Sequence, residues 1–151
     1  MSRIKIDEWG IRLANVVATR ATCLRRQVGC VLLNSRGHIL ATGYNGVAAG
    51  ERHCNDWPYP YTHHPYACPG AGAPSGTNLD GCRAIHAEQN ALMQCRDVWE
   101  IETCYTTTSP CMTCVKLLLN TNCTRIVFAT EYAHIEAKAL WVESGREWVQ
   151  L

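Results

Sequence analysis

Apolar positions along this chain follow two different spacings, one typical of helices and one typical of strands. Residues 4–22 carry apolar side chains three and four positions apart, with two acids near the start, which predicts an amphipathic helix. Two short apolar runs, at 28–33 and 39–44, flank a turn-forming segment at 34–37. Their spacing predicts an antiparallel hairpin.

The second half of the chain alternates between strand-like and helix-like segments, after a long stretch with little periodicity. That stretch holds all but one of the six prolines and predicts an irregular insertion at about residues 47–82. The later segments predict helices over 83–95, 110–120 and 135–143 and strands over 101–107, 125–129 and 147–150. Together the elements predict a single domain, residues 1–151, of the α/β class: a three-layer α/β/α fold around a mixed five-stranded sheet.

Net charge and the lack of long basic or apolar runs limit the kinds of partner that this protein is expected to bind. The formal net charge is +1 and the longest basic run is Arg25-Arg26, so the basic surface expected of a nucleic-acid binder is missing and a small-molecule substrate is favoured. The first residues form no apolar leader, and no run of eighteen apolar residues occurs. We therefore expect a cytoplasmic protein with no membrane partner.

Two short motifs supply the elements of a metal site. His86 is followed two positions later by Glu88, and a proline precedes the pair Cys111 and Cys114. One imidazole and two thiolates make three Zn²⁺ ligands, which is typical of a catalytic site with one open position, whereas structural zinc usually has four. Glu88 is then the spare carboxylate, which we predict to be the catalytic group that moves protons.

Each motif has a simpler interpretation when taken alone. A single C-x-x-C could be redox-active or half of a structural zinc ribbon, and a lone His or Glu could cap a helix. Their joint occurrence favours catalytic zinc. Pro110 suits a first helical position, which would place Cys111 and Cys114 on one helix face. His86 and Glu88 must lie at a loop-to-helix transition, since two residues on an ideal helix point about 200° apart.

The chain has ten cysteines, which is many for its length. Four lie in or beside apolar segments and are predicted to be small buried apolar residues: Cys30, Cys95, Cys104 and Cys123. Four others lie in polar or Gly/Pro-rich surroundings that offer little other reason for a thiol: Cys23, Cys54, Cys68 and Cys82. In a reducing compartment, metal binding is a better explanation for these than disulfides.

Four sequence blocks, at 26–31, 42–46, 83–91 and 108–111, resemble those of the deoxycytidylate (dCMP) deaminase family within the zinc cytidine deaminases, in the same order. The order H-x-E then P-C-x-x-C is the signature of zinc nucleobase deaminases. The resemblance implies a cytidine deaminase-like fold and hydrolytic deamination of dCMP to dUMP and ammonia, which supplies dUMP for thymidylate synthesis. It also implies that Glu88 serves as both acid and base.

The resemblance also implies roles for residues outside the metal motifs. Tyr132 and Asn45 are expected to contact substrate, and Arg26 and Lys116 are candidates for the 5′-phosphate. Arg96 lies ten residues after His86, one fewer than is common in the family, so no role is carried over to it. The block expected to bind an allosteric nucleotide consists of Gly43, Tyr44, Asn45 and Gly46.

Cofactors and assembly follow from the same resemblance. One branch of the family holds a second, structural zinc, here assigned to Cys23, Cys54, Cys68 and Cys82. A histidine could replace one thiol, the candidates being His53, His63 and His64. The family implies activation by dCTP, inhibition by dTTP, Mg²⁺ with the triphosphate, and a homo-oligomer, commonly a hexamer.

Three other zinc deaminases share the metal motif: those acting on tRNA adenosine, on free cytidine and on a pyrimidine of riboflavin synthesis. The near-neutral charge and the Gly43–Gly46 block disfavour the first. A non-catalytic, zinc-stabilised module that senses nucleotides is an alternative from another class. Retention of Glu88 argues against it, because a sensing site needs no proton carrier.

Overall fold

The computed structural model describes residues 1–56, 68, 70, 72–78, 81–132 and 134–151. Within these residues, the fold consists of nine longer elements, together with short 3-10 helices at Cys54–Asp56 and Val98–Glu100. In chain order they are α1 (Ile6–Ala18), β1 (Gly29–Leu33), β2 (Ile39–Tyr44), α2 (Ala87–Gln94), β3 (Thr103–Thr108), α3 (Met112–Leu119), β4 (Arg125–Thr130), α4 (Ile135–Glu143) and β5 (Glu147–Gln150).

The five strands form one mixed sheet in the order β2-β1-β3-β4-β5. β1 is antiparallel to both β2 and β3, whereas β3, β4 and β5 run parallel. β3 and β4 therefore end at the same edge, and the antiparallel hairpin brings the start of β1 and the end of β2 to that edge as well. The predicted α/β class and mixed five-stranded sheet are confirmed.

Helices cover both faces of the sheet. Alternate residues of β1 point to opposite faces: Val31 and Leu33 pack against α1, while Cys30 and Leu32 belong to the core beneath α2, α3 and α4. All five residues of β1 are buried, as expected for a strand covered on both sides. This arrangement is the predicted three-layer α/β/α architecture.

Element boundaries differ most from prediction at the helix ends. α1 ends at Ala18 rather than near residue 22, because the N–H groups of Thr19, Arg20 and Ala21 bond to carbonyls three residues back and tighten the last turn. α3 begins at Met112 with Cys111 as its N-cap. The prediction that Pro110 occupies the first helical position is therefore wrong by two residues.

The amino end of α2 is set by a contact from outside the helix. Gly46 and Ile85 exchange two backbone hydrogen bonds of 3.1 and 2.8 Å, which keep residues 83–85 extended and delay the helix to Ala87. Gly43 lets this helix approach the sheet closely, since a side chain there would collide with the backbone of Ala87 and Ala91.

Part of the predicted insertion, including His63 and His64, lies outside the described residues. Three of the four cysteines predicted to be small apolar core residues are fully buried: Cys30, Cys104 and Cys123. Cys95 instead caps the end of α2 and is partly exposed, so that prediction is wrong for it. Within the described part of the chain, no helix is long and apolar enough to cross a membrane.

An ion-pair network ties α1 to the sheet. Arg125 donates two hydrogen bonds to Asp7, of 3.0 and 2.8 Å, and a third of 3.0 Å to Glu147, while the Tyr105 hydroxyl donates to Asp7 at 2.7 Å. The Asp7 and Arg125 side chains are each 23% exposed. The bidentate pairing with Arg125 holds the pKa of Asp7 below its usual value.

Replacing Asp7→Asn should lower the free energy of unfolding at pH 7 by about 1–2 kcal/mol. The unfolded chain binds the proton first, since its Asp pKa is about 3.9 and the folded value is lower. The stabilisation by the Asp7 carboxylate is therefore present above the pKa of the unfolded chain. It is lost as the pH falls through the pKa of Asp7 in the folded protein. Urea unfolding of the variant and the wild type should show the gap shrinking from pH 7 to pH 3.

The matched control is Glu8→Gln on the same helix, which breaks the exposed pair of Glu8 and Arg12 and should have little effect. A gap between Asp7→Asn and wild type that stays constant over the pH range would contradict the assigned role of the Asp7 carboxylate.

Candidate metal and nucleotide site

A cleft opens at the sheet edge where β2, β3 and β4 end. It has a cavity volume of about 80 Å³ and opens to solvent. Its walls come from the segment before β1, the ends of β2 and β3, the start of α2, the loop after β4 and part of the insertion. The lining residues include Arg25, Arg26, Asn45, Ser75, Glu88, Ser109 and Tyr132.

Three candidate metal ligands meet in this cleft. Nδ1 of His86 lies 3.4 Å from the sulfurs of both Cys111 and Cys114, and the three ligand atoms lie within 4.8 Å of one another. Tetrahedral Zn²⁺ with ordinary bond lengths would separate a nitrogen and a sulfur ligand by roughly 3.5 Å. The spacing and the donor set of these residues therefore fit zinc.

The starts of two helices position these ligands. His86 is the N-cap of α2 with extended backbone, and its N–H donates to the Gln89 side chain at 2.9 Å. Glu88 lies in the first turn of the same helix, so the predicted loop-to-helix transition is confirmed. Cys111 caps α3 and Cys114 follows one turn later, which brings both sulfurs beside the free N–H groups of that helix start, where thiolates are favoured.

Neighbouring protein groups favour the thiolate form of one of these cysteines. A hydrogen bond with Cys114 and another with His86 lower the pKa of Cys111 to about 4, despite burial. The same bond with Cys111, together with burial, raises the pKa of Cys114. The bond with Cys111 also raises the pKa of His86. Because metal ligands must be deprotonated, zinc binding would release protons from this group.

Glu88 is buried beside the three ligands, with 4% of its surface exposed. Its Oε1 lies 3.2 Å from the hydroxyl of Thr106, and its carboxyl group also contacts the Cys114 thiol. Burial raises the pKa of Glu88 above the usual value for a glutamate. A carboxyl group with a raised pKa next to a metal can carry protons during a reaction.

Asn45 is fixed by the backbone in front of β1. Its Oδ1 accepts from the Val28 N–H at 2.8 Å, and its Nδ2 donates to the Arg26 carbonyl at 2.7 Å. An Asn side chain has four hydrogen-bonding positions, so one donor and one acceptor position are left for a molecule in the cleft. Asn45 therefore lines the cleft and also closes the loop that carries Arg26.

Arg26 projects its guanidinium group into the cleft wall. Cζ lies 5.0 Å from the centre of the Tyr132 ring, which is within cation–π distance. Its Nη1 is buried and has no hydrogen-bond partner among the residues that the structure describes. Because a buried donor without a partner is costly, this nitrogen marks a place where an anionic ligand would be favoured.

Tyr132 is held from two sides. Its N–H donates to Ser109 Oγ at 2.6 Å, and its hydroxyl is hydrogen-bonded to Ser75. Burial raises the pKa of Tyr132, so the phenol is neutral near pH 7. Gly76 has φ +88° and leaves room for the Tyr132 hydroxyl, 3.0 Å from where a Cβ would lie. Tyr132 thus lines the cleft.

Sequence reasoning missed Arg25, Ser75, Ser109 and Thr106. Arg25 Nη1 donates to the carbonyls of Pro74 and Thr77, at 3.1 and 2.6 Å, and so ties this part of the insertion to the cleft. The only available signal for Arg25 was its position next to Arg26. The others required the fold, because a serine or threonine in a strand or loop has many ordinary explanations.

Some predicted residues are not brought into the cleft. Lys116 is exposed on α3, and Arg96 is exposed after α2; neither lines the cleft. Of the block Gly43–Gly46, Asn45 lines the cleft, whereas Gly43 is buried under α2 and Gly46 pairs with Ile85. Lys116 is therefore poorly placed for a substrate phosphate, and Arg26 is well placed.

Four cysteines gather at the side of the same cleft. The sulfurs of Cys68 and Cys82 are 3.9 Å apart, and Cys54 is hydrogen-bonded to Cys68. Burial first, and then the neighbouring thiols of Cys68, Cys23 and Cys82, raise the pKa of Cys54 to about 12. Within the described residues this cluster is looser than the group around His86.

Backbone groups donate to the sulfurs of this cluster. The Arg83 N–H donates to Cys68 at 3.3 Å and the Arg25 N–H donates to Cys23 at 3.4 Å. His53, the alternative ligand that the structure describes, is exposed and shares a hydrogen bond of 3.2 Å with Thr22.

Comparison with known proteins agrees with this site. The family model of the cytidine and deoxycytidylate deaminase zinc-binding region matches residues 4–130. A deoxycytidylate deaminase of Mycobacterium phage D29 is 36% identical over 132 residues, which cover 87% of this chain and 99% of that protein. One from Schizosaccharomyces pombe is 33% identical over 128 residues. Those residues cover 83% of this chain but only 37% of the yeast protein.

Among solved structures, a dCMP deaminase of cyanophage S-TIM5 in complex with dCMP and dUMP has the same fold. Its TM-score is 0.74 with 22% sequence identity, and the match covers all of both chains. The sequence match extends over most of the chain, and the fold and the three metal ligands agree with it. This chain therefore belongs to the cytidine and deoxycytidylate deaminase zinc-binding family.

Proposed function

We propose that this protein catalyses the hydrolytic deamination of dCMP to dUMP and ammonia. The observation that carries the proposal is the buried carboxyl group of Glu88 beside the ligand group of His86, Cys111 and Cys114, in a cleft that also holds an unpartnered arginine nitrogen. A similar phage D29 protein is named deoxycytidylate deaminase, which supports this substrate.

In this proposal, some residues of the cleft bind the metal and another transfers protons. Zinc held by His86, Cys111 and Cys114 would supply Lewis-acid activation of water. Glu88 accepts one proton from the attacking water and delivers it to the ring nitrogen N3 of cytosine. It then accepts a second proton from the hydroxyl group added at C4 and delivers it to the amino group, which departs as ammonia. A single carboxyl group can serve both steps, because its two protonation states are used in turn.

Residues in the walls of the cleft would bind the nucleotide. Asn45 presents its unused donor and acceptor to the sugar hydroxyl groups, and Tyr132 covers the bound nucleotide. Arg26 meets the 5′-phosphate with the buried Nη1 that lacks a partner. A guanidinium group suits this task because it matches the geometry of phosphate oxygens.

Regulation and assembly belong to the same proposal. The Gly43–Gly46 block would bind dCTP as activator or dTTP as inhibitor, with Mg²⁺, in a homo-oligomer such as a hexamer. Supporting this, Gly46 is hydrogen-bonded to Ile85, next to His86, and the Tyr44 carbonyl accepts from Asn90 at 2.8 Å. A ligand at this block would therefore act on the helix that carries Glu88. The product dUMP would feed thymidylate synthesis.

The direct test is turnover of dCMP beside deoxycytidine, followed by the absorbance loss of cytosine, with and without dCTP or dTTP plus Mg²⁺. We expect turnover of dCMP alone, raised by dCTP and lowered by dTTP. Turnover of deoxycytidine in preference to dCMP would move the substrate to the free nucleoside. Tight nucleotide binding without turnover of either compound would favour the non-catalytic sensing module.

We further propose that Cys23, Cys54, Cys68 and Cys82 hold a structural zinc that anchors the insertion. The separation of 3.9 Å between the Cys68 and Cys82 sulfurs is close to the roughly 3.8 Å expected between two thiolates on tetrahedral zinc. The N–H groups that point at Cys23 and Cys68 would stabilise thiolates at these positions. Such a site would hold together segments that lie far apart in sequence.

Freshly purified protein should contain two zinc ions per chain by elemental analysis, and Cys54→Ser should contain one. We expect the loss to lower the unfolding temperature by several degrees, since bound metal stabilises the folded state. Cys95→Ser, which changes a thiol outside both groups, is the control and should retain two ions. Finding one ion per chain in the wild type would refute the structural site.

A further inference from the structure

A buried threonine of the central strand lies beside the carboxyl group of Glu88. Thr106 is fully buried in β3, between the neighbouring strands β1 and β4. Its Oγ1 lies 3.2 Å from Glu88 Oε1 and 2.9 Å from the carbonyl oxygen of Thr108. It is neither a metal ligand in the proposed site nor a residue of the cleft surface.

The hydroxyl group of Thr106 lies in otherwise apolar surroundings. On the same face of the sheet, its neighbours are the buried thiols of Cys30 and Cys104, which belong to the apolar core beneath α2. A valine would fill this strand position equally well by volume and would add apolar contact. A hydroxyl group here is therefore best explained by the hydrogen bonds that it makes.

Geometry gives this hydroxyl group two ways to bond. Threonine has one proton to donate and two lone pairs that accept. It can donate to an ionised Glu88, or it can donate to the Thr108 carbonyl and accept from a protonated Glu88. In both arrangements the carboxyl oxygen keeps its partner without any movement of the side chain. The carboxyl group thus stays in one orientation throughout a proton transfer.

We propose that Thr106 is a positioning residue, whose hydroxyl group holds the Glu88 carboxyl group in the orientation needed to pass protons between water and the cytosine ring. This role rests on the proposed function and deepens it. A misplaced proton carrier slows the chemical step more than it weakens substrate binding, because the hydrogen bond does not touch the substrate.

The test compares two substitutions at this position. Thr106→Val keeps the shape and removes the hydroxyl group, and it should lower kcat for dCMP by about 10- to 100-fold while KM changes by less than about threefold. Thr106→Ser restores the hydroxyl group and should recover most of the activity. Both variants should retain the zinc content of the wild type.

Thr107→Val is the matched control for general damage to the strand. Thr107 is also buried in β3, and its hydroxyl group accepts from the Gly29 N–H at 3.2 Å. Its loss should lower the unfolding temperature while kcat stays within about threefold of wild type. If Thr107→Val and Thr106→Val reduce kcat equally, the effect of Thr106 is only structural and the proposal is overturned.

A double-mutant cycle separates the role of Thr106 from the proposed function. In a Glu88→Gln background, adding Thr106→Val should cause no further loss of residual single-turnover activity, because the group that Thr106 positions is already gone. Equal additional losses in both backgrounds would overturn the positioning role while leaving dCMP deamination intact. A wild-type protein that does not turn over dCMP would overturn the proposed function and the positioning role with it.

Discussion

Glu88→Gln should abolish nearly all turnover of dCMP, with a fall in kcat of about 10²–10⁴. The substitution keeps the size of the side chain but removes the group that accepts and delivers protons. The amide can still contact the hydroxyl of Thr106 and fill the buried space beside Cys114. Steady-state kinetics on dCMP, combined with zinc analysis of the same preparation, measures both expected results.

The zinc content distinguishes loss of the Glu88 carboxylate from loss of the metal. Glu88 is not one of the three clustered ligand candidates, so Glu88→Gln should keep the zinc content of the wild type. Cys114→Ser is the comparison variant, which should lose activity through loss of the metal. If Glu88→Gln kept substantial turnover, or lost its zinc together with its activity, Glu88 would not be the proton carrier.

Arg26→Met should reduce kcat/KM for dCMP by about 100-fold, corresponding to about 3 kcal/mol. The guanidinium group has a buried Nη1 without a hydrogen-bond partner and stacks on Tyr132 at the edge of the cleft. Methionine keeps part of the apolar contact with the ring and removes the charge. Most of the effect should be in KM, because the phosphate is remote from the bond that is broken.

Two comparisons separate phosphate recognition from loss of structure. Deoxycytidine lacks the phosphate, so the trace activity on this nucleoside that a high enzyme concentration reveals should be the same for Arg26→Met and the wild type. Lys116→Met removes an exposed cation outside the cleft and should leave dCMP kinetics unchanged. Equal losses of activity on dCMP and on deoxycytidine would assign Arg26 a structural role instead.

Local patterns in the sequence account for most of the secondary structure. β2, α4 and β5 have the predicted bounds, because each is a short periodic segment that begins and ends at strong local signals. The start of α2 could not be found this way. The pairing of Gly46 with Ile85 joins positions 39 residues apart in sequence, and this long-range contact overrides the helix-like pattern of residues 83–86.

The candidate metal ligands and the proposed proton carrier were visible in the sequence for a chemical reason. Zinc accepts few ligand types, and the short spacings within His86–Glu88 and Cys111–Cys114 are fixed by the backbone at two helix starts. The sequence therefore determined the candidate ligands, the carboxylate beside them and the α/β class, since each depends on neighbouring residues or on regular periodicity.

Only the tertiary structure decided which polar residues lie near that centre. Arg26 and Lys116 were equal candidates by residue type, and the sheet edge places one in the cleft and the other on the outer surface. Thr106 had no signal, because its hydroxyl group meets Glu88 only when α2 packs over β3. Contacts of this kind join segments distant in sequence, and their partners are set by the packing of the whole chain.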